Sequence, residues 1–206
     1  MKLHSKKNIR VLHFYKTCYP YSFGGVEQVI HQLCLGGVKH GIINEVLVLS
    51  PEGIEDTVEV DGYKVHRVKQ TFQIASTGFS LSALRRFKEL AKQADIIHYH
   101  FPWPFMDMMH FLAQIKKPTV VSYHSDIIRQ KWLLKFYRPL KNRFLSDVNC
   151  IVTASPNYLA SSDVLSRFRN KTKVIPYGLD RDSYPEPTPE LLASWKASVG
   201  DKFFLF

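Results

Sequence analysis

Short apolar runs alternate along the chain with segments whose apolar residues recur every three or four positions. Runs at residues 9–15, 45–50, 94–100, 118–124, 150–155 and 173–178 have the length and composition of buried strands. Residues 26–40 have helical spacing, and similar segments separate most of the later runs. Because strands separated by helices usually form a parallel sheet, the pattern predicts an α/β fold, a Rossmann-like parallel sheet with helices on both faces.

Turn and capping residues divide this pattern further. The alternation on either side of Asp61 and Gly62 predicts a β-hairpin over residues 57–69. Ser80 is placed to cap a helix over residues 81–94, and residues 156–168 are expected to form one helix. A longer basic helix is expected to run to about residue 145, with a kink or a break near Pro139.

Three segments of different character predict the domain organisation. Residues 1–178 complete the alternation of strands and helices and form the Rossmann-like domain. Residues 179–190, "LDRDSYPEPTPE", combine prolines with acidic residues, which indicates an interdomain linker. Residues 191–206 contain a short helical segment and an apolar strand, which we interpret as the truncated start of a second domain.

The composition is that of a folded globular protein, with 45% apolar and 22% charged residues. No apolar run approaches the roughly 20 residues of a membrane-spanning helix, and Arg10 and His13 interrupt the first apolar stretch, which argues against a signal peptide. Cys18, Cys34 and Cys150 form neither a metal motif nor a disulfide framework, which indicates a reducing cytoplasm. The net charge of +10 is compatible with nucleic acid, anionic lipid or phosphorylated substrates.

Several polar residues follow the first strand, at the edge where parallel sheets bind ligands. They are Lys16, Thr17 and the pair Gly24 and Gly25, which directly precedes a helix. Adjacent glycines allow positive φ and a close approach to the helix N-terminus, where a phosphate or diphosphate would bind. The alternative is a tight turn without a ligand. Glu27 also has a structural explanation, since an acid in the first turn interacts favourably with the helix dipole.

Histidines mark the two middle strands. His124 follows a strand and is placed to hydrogen-bond a bound hydroxyl, whereas the nearby Asp126 has the alternative role of capping the next helix. His98 and His100 lie on the preceding strand. We expect these two side chains to point to opposite faces of the sheet, so that at least one of them is structural.

The densest positive charge lies on the basic helix that follows His124. Arg129, Lys131 and Lys135 flank Trp132, and apolar residues recur there at helical spacing. Two interpretations stay open. One is a solvated basic face on an ordinary helix, and the other is peripheral contact with an anionic membrane surface, for which lysines beside aromatic residues are typical.

Five segments taken together resemble the family 4 glycosyltransferases. They are "FGGVEQVI", "ADIIHYHFP", "VVSYHSD", "IVTASPNYLA" and "KVIPYGLD", and they occur in the family's order over nearly the whole chain. The last of them resembles the family's interdomain signature. Finer features such as "HFYKTCYP" and "HFPWPFMDM" are similar to bacterial mannosyltransferases that build the O-antigen of lipopolysaccharide.

The resemblance implies a reaction and an architecture. The fold would be the N-terminal half of a GT-B fold, and the reaction would transfer mannose from GDP-mannose to a lipid-linked or saccharide acceptor with retention of configuration. The resemblance implies no cofactor and no metal. It places the enzyme in the cytoplasm, with possible peripheral contact at the inner face of the cytoplasmic membrane. An E-x7-E motif and a basic pair in the second domain would hold most of the donor beyond residue 206.

The resemblance also implies roles for individual residues. Gly24 and Gly25 would lie against the donor diphosphate, and His124 would contact the donor sugar as the catalytic residue. The first domain would mainly bind the acceptor. The candidate acceptor-binding residues are Lys16, Glu27, His100 and Asp126.

Two other classes of function remain as alternatives. A metal-dependent hydrolase would use four residues as ligands, His98, His100, His124 and Asp126. The first two form one pair and the last two another, and each pair follows a predicted strand. A nucleic-acid-binding module would explain the net charge, but the sequence lacks a recognised helix-turn-helix, RRM or zinc signature. We therefore expect no nucleic-acid partner and no bound metal.

Overall fold

The computed structural model describes residues 8–74, 77–127, 131–178 and 186–200, with side chains described from residue 135 onward in the fourth helix. Within these ranges the strands are β1 Arg10–Phe14, β2 Ile43–Ser50, β3 Asp56–Val60, β4 Tyr63–Lys69, β5 Phe72–Ile74, β6 Thr77–Phe79, β7 Ile96–Phe101, β8 Thr119–Tyr123, β9 Cys150–Thr153 and β10 Thr172–Val174. The helices are α1 Gly25–Lys39, α2 Ala83–Gln93, α3 Pro104–Leu112, α4 Lys131–Asp147, α5 Pro156–Ser161, α6 Asp163–Arg167 and α7 Pro189–Val199, with a 3-10 turn at Arg169–Lys171.

Eight of these strands form one sheet in the order β10-β9-β8-β7-β1-β2-β4-β3. Its pairs are parallel except for β3 with β4, the hairpin predicted around Asp61 and Gly62. Both turn residues have positive φ, as the two-residue turn of a hairpin requires. From β1 the chain continues to β2 on one side and later to β7 on the other. Ligands bind at the carboxyl edge of such a switch point, so the ends of β1 and β7 are where a site is expected.

Helices cover both faces of the sheet, as the apolar pattern predicts. On one face the strands pack against Phe87 of α2, Met106 of α3 and Phe144 of α4. On the other face a smaller cluster includes Ile30 and Cys34 of α1. Residues two apart on a strand share a face, so each buried strand contributes alternate side chains to the two layers.

Three helix predictions need correction. Ser80 Oγ accepts a hydrogen bond from the first amide of α2, but that helix begins two positions later than predicted, at Ala83. Of the kink or break predicted near Pro139, the break does not occur, because α4 continues through this residue. Residues 156–168 form two short helices, because Ser162 has an extended backbone and caps α6 by accepting from the amide of Leu165.

The domain boundaries stay predictions. Residues 179–185 and 201–206, which belong to the predicted linker and second domain, lie outside the described residues. Helix α7 begins at Pro189, within the predicted linker, and continues into the segment beyond it. In the described part of the chain, no helix combines the length and the hydrophobicity needed to cross a membrane.

Candidate functional site

The loop after β1 brings Gly24 and Gly25 to the start of α1, at the carboxyl edge of the sheet. Gly24 is the N-cap, with φ −82° and ψ 167°, and no side chain caps the helix. Neither glycine has positive φ, so the backbone freedom expected of this pair is not used. A Cβ on Gly24 would collide with the Glu27 carboxylate, whereas a Cβ on Gly25 would meet no atom within 4 Å. Gly25 is also exposed, so the start of α1 is accessible there, as binding of an anion would require.

Glu27 holds the loop after β1 against α1. Its buried carboxylate accepts hydrogen bonds from Thr17 Oγ1 at 2.5 Å and from Ser22 Oγ at 3.3 Å. The side chain thus has a structural role in addition to the predicted one in acceptor binding. Lys16, the first residue beyond Tyr15, is exposed at the same edge, and its Nζ lies 5.6 Å from the Tyr15 ring centroid.

A row of hydrogen-bonded rings, here called the histidine chain, leads from this edge into the protein. His124 Nδ1 lies 2.6 Å from the Tyr177 hydroxyl, and His124 Nε2 lies 3.1 Å from His100 Nδ1. His100 Nε2 lies 3.1 Å from His13 Nδ1, and His13 Nε2 lies 3.3 Å from Asn44 Oδ1. The chain therefore runs from Tyr177 at the rim through three histidines to an amide buried beneath α1.

The expectation that His98 and His100 face opposite ways is wrong. Side chains of a strand alternate with a period of two, so residues two positions apart point to the same face. The two rings are stacked with their centroids 4.6 Å apart, and the His98 ring also lies 4.8 Å from that of His13. His98 itself is outside the histidine chain, because its Nε2 is bonded to Ser122 Oγ at 2.8 Å.

Burial keeps these histidines neutral. Desolvation lowers the pKa of His124 to about 4 and that of His13 to about 4. It also holds the pKa values of His98 and His100 well below their usual range. A neutral imidazole has one donor and one acceptor nitrogen, so each ring in the chain donates to one neighbour and accepts from the other.

Asp126, a predicted acceptor-binding residue, lies beside this site but its carboxylate is engaged within the protein. It accepts hydrogen bonds from Tyr123 at 2.7 Å, Tyr158 at 3.0 Å and Ser162 at 3.2 Å. These bonds tie the end of β8 to α5 and α6 and fix the position of the neighbouring His124. His100, another predicted acceptor contact, is fully buried with both ring nitrogens bonded.

The described residues offer a different metal-ligand group from the one that the hydrolase alternative would use. His13, His98 and His100 have ring nitrogens within 4.8 Å of one another, whereas Asp126 is bonded to hydroxyls. Among the described residues, no carboxylate or thiol joins the three imidazoles. A divalent ion would have to break the hydrogen bonds of the histidine chain and be buried without a counter-charge, which is unfavourable.

A cavity of about 240 Å³ opens next to the loop after β1. Thr17, Ser22 and Arg67 are among its lining residues, and the Arg67 guanidinium lies 4.1 Å from the ring centroid of Tyr21. Pockets for drug-sized ligands span about 300–1,000 Å³, so this cavity is suited to one part of a larger ligand.

Three of the predicted membrane-contact residues, Lys131, Trp132 and Lys135, belong to α4, which packs on the sheet face opposite the histidine chain. Arg129 lies outside the described residues, as do the side chains of Lys131 and Trp132. Lys135 is exposed, and the adjacent Phe136 is 78% exposed. Of this predicted set only the side chain of Lys135 is described, and it belongs to a helix on the other face of the sheet from the candidate site.

Sequence reasoning missed the inner and outer ends of the histidine chain. His13, Asn44 and Tyr177 were not among the expected site residues. A signal was present for one of them, because His13 interrupts the apolar run of residues 9–15, whereas Asn44 lies just before the predicted strand of residues 45–50. The parallel register then places His13 directly beside His98, which the sequence alone does not specify.

Comparisons with known proteins agree with this architecture. The sequence model of Glycosyltransferase Family 4 matches residues 23–183. Over 198 residues, 96% of this chain, the sequence is 56% identical to D-rhamnosyltransferase WbpZ of Pseudomonas aeruginosa and 50% identical to O-antigen chain mannosyltransferase C of Escherichia coli. The chain spans about half the length of these curated relatives, 52% and 53%.

Solved structures share the fold at low sequence identity. Anabaena HepE in complex with UDP and glucose has a TM-score of 0.58 at 16% identity, covering 93% of this chain and 50% of that protein. A glycosyltransferase from Rickettsia africae has a TM-score of 0.56 at 16% identity, covering 93% and 49%. The predicted fold class is confirmed by this likeness.

Proposed function

The chain belongs to glycosyltransferase family 4, and we propose that it carries part of the active site of an enzyme transferring a sugar from a nucleotide-sugar to a saccharide. The observation that supports this most is that two features lie at the same carboxyl edge of the sheet. One is the open N-terminus of α1 at Gly25, and the other is His124 at the end of β8.

These two features have complementary roles in our proposal. The amides and the positive dipole end of α1 would stabilise the diphosphate as negative charge develops on it during cleavage of the sugar bond. His124 would hydrogen-bond a hydroxyl of the donor sugar. The leaving phosphate would accept the proton of the attacking hydroxyl on the same face of the sugar, which gives retention of configuration without a carboxylate base. We further propose that this reaction needs no metal.

The donor that we propose is GDP-mannose, with the corresponding D-rhamnose nucleotide as the second candidate. The names of the two relatives support these sugars, since one is a mannosyltransferase and the other a D-rhamnosyltransferase. D-Rhamnose is mannose without its 6-hydroxyl, so the two donors share the rest of the ring. The acceptor that we propose is a lipid-linked saccharide of O-antigen synthesis, approaching Lys16 and the cavity beside Thr17.

We also propose that the enzyme works at the cytoplasmic face of the membrane, held by the basic helix α4. Lys135 and Arg138 are exposed on both sides of the exposed Phe136, a combination of basic and aromatic side chains that suits an anionic interface. Each basic residue near such a surface contributes about 1 kcal/mol.

The donor can be tested with the full-length gene product. Purified protein is incubated with GDP-mannose or GDP-D-rhamnose and a lipid-linked saccharide, with and without EDTA, and the products are analysed by mass spectrometry. We expect the enzyme to add one sugar residue to the acceptor from one of these donors. The rate should be the same with and without EDTA. Donor hydrolysis without transfer, or activity that EDTA abolishes and zinc restores, would favour the hydrolase alternative.

A further inference from the structure

The inner end of the histidine chain has a fixed direction. Asn44 Nδ2 donates to the backbone carbonyl of Cys34 at 3.1 Å. A carbonyl oxygen only accepts hydrogen bonds, so the amide nitrogen of Asn44 must face Cys34 and the amide oxygen must face His13. Asn44 is buried, and α1 holds it from above because a Cβ on Gly37 would collide with Asn44 Nδ2. The amide therefore has no room to turn over.

This orientation determines the proton position on each ring in turn. Asn44 Oδ1 is an acceptor, so His13 must carry its proton on Nε2 and leave Nδ1 as an acceptor. His100 then donates from Nε2 to His13, and its own Nδ1 becomes an acceptor. His124 in turn donates from Nε2 to His100, which leaves His124 Nδ1 without a proton at the rim. There Nδ1 accepts the hydrogen bond of the Tyr177 hydroxyl.

We propose that Asn44 is a positioning residue that sets the tautomer of His124 through His13 and His100. The nitrogen that His124 presents at the rim is consequently a hydrogen-bond acceptor. A ligand that replaces the Tyr177 hydroxyl there must donate a hydrogen bond, as a sugar hydroxyl does and a phosphate oxygen does not. The assignment of a sugar hydroxyl rests on the proposed function, whereas the direction of the chain does not.

The arrangement orients His124 and does not conduct protons. At the inner end the chain stops at an amide and a backbone carbonyl, which neither release nor take up a proton at ordinary pH. Desolvation lowers the pKa of all three rings, and their neutral state preserves the one-way order of donors and acceptors. The hydrogen bonds of the histidine chain therefore stabilise one tautomer and one ring orientation of His124.

Histidine tautomers can be read directly by NMR on the 206-residue chain labelled with 15N in its nine histidines. Long-range 1H–15N spectra at pH 7 should show His13, His100 and His124 as neutral rings with the proton on Nε2. A proton on Nδ1 of His124 would overturn the proposal without any variant. Added zinc should leave these three signals unchanged, and stoichiometric shifts at His13, His98 and His100 would assign the cluster to a metal instead.

Two substitutions at Asn44 separate its acceptor from its donor. Asn44→Asp and Asn44→Leu both remove the donor to Cys34, but only Leu removes the acceptor for His13. We expect His124 to keep its Nε2 proton in the Asp variant and to show a mixture of both tautomers in the Leu variant. Ser122→Ala is a matched control, because Ser122 is as buried as Asn44 and its hydroxyl is hydrogen-bonded to His98, the ring outside the histidine chain.

A second break in the chain covers the case in which Asn44→Leu does not fold. His13→Gln places an amide that can donate or accept beside His100, so it should also give a mixture of tautomers at His124. The signals of His110, which is bonded to Tyr99 and Asp147, report whether each variant is folded. A pure Nε2 tautomer of His124 in either folded variant would refute the role of Asn44.

Activity of the full-length gene product gives an independent readout. Asn44→Leu should lower kcat more than it changes KM. Asn44→Asp should have a kcat much closer to that of the wild type. If the tautomers respond as expected but no sugar is transferred by the wild type, the proposed function fails and the direction of the chain stands. If transfer occurs and both Asn44 variants have equal kcat, the positioning role fails and the proposed function stands.

Discussion

Gly37 of α1 lies directly against the side-chain amide of Asn44 on β2, so that a Cβ at position 37 would overlap with Asn44 Nδ2. Its neighbour Gly36 has no atom within 4 Å of the corresponding position. We expect Gly37→Ala to lower the free energy of unfolding by about 1–3 kcal/mol, as overpacking of a core does. Gly36→Ala should raise it by about 0.5–1 kcal/mol through helix propensity.

Urea unfolding of the two alanine variants measures this difference. Both glycines lie within the same helix, so the pair isolates the contact with Asn44 from the general effect of removing a glycine. If both variants are equally stable, α1 does not hold the amide in place.

Substitutions of Gly24 and Gly25, at the start of α1, should have different effects, the first on stability and the second on activity. Gly24→Ala should lower the melting temperature, because its Cβ would displace the buried Glu27 carboxylate. Gly25→Val should leave the fold intact but lower kcat/KM, since its side chain would fill the open space in which we place the diphosphate. Thermal melts and donor kinetics of the full-length gene product distinguish the two. Full activity of Gly25→Val would remove the diphosphate from this position.

The stability of the chain should depend on pH through its buried histidines. An unfolded histidine has a pKa of 6.5, whereas burial lowers the pKa of His13 to about 4. Above pH 6.5 both states are neutral and the histidine has no effect on stability. Between pH 6.5 and pH 4 the unfolded state binds the proton and the folded state does not. Stability is therefore lost as the pH falls through this range, by up to about 1.4 kcal/mol per pH unit for a fully buried group.

Urea unfolding at pH 7.5 and pH 5 tests this dependence. His13→Gln should flatten this dependence of stability on pH, because it removes a titrating group whose pKa burial lowers. A wild-type stability that is the same at both pH values would show that these histidines are not held neutral by burial.

The sequence predicts the fold well because the signals that define it are local. Apolar runs of strand length, the helical spacing of residues 26–40 and the turn at Asp61 and Gly62 all depend on neighbours in the chain. Local signals also placed His124 and the glycine pair at the carboxyl edge. The break at Ser162 was missed, because it is accompanied by hydrogen bonds that the helical pattern does not show: the Ser162 hydroxyl accepts from the amide of Leu165 and donates to Asp126.

The histidine chain could not be predicted in the same way. It depends on register, which places His13 of β1 beside His98 of β7, and on α1 closing over Asn44. Neither is a property of sequence neighbours. The error over His98 and His100 was different, because the period of two would have placed them on one face without any structure.

The basic helix offers a test of membrane contact that does not depend on catalysis. Phe136 is 78% exposed among basic residues, and Leu81 is 77% exposed before α2. We expect Phe136→Ser to weaken co-sedimentation with anionic vesicles and Leu81→Ser to leave it unchanged. The triple variant of Arg129, Lys131 and Lys135 to Glu should abolish binding at low salt, and added salt should weaken wild-type binding. Equal binding by all the proteins would leave α4 as an ordinary solvated helix.

The role of His124 is tested most directly by its removal from the full-length gene product. Steady-state transfer from the nucleotide-sugar is measured for wild type, His124→Ala and the exposed control His40→Ala, with circular dichroism to confirm that each protein is folded. Our account predicts that His124→Ala lowers kcat by roughly 100-fold, because a preorganised hydrogen bond to the sugar contributes a few kcal/mol in the transition state. The control should match wild type. An unchanged kcat in a folded His124→Ala protein would contradict the account and leave the histidine chain as part of the core.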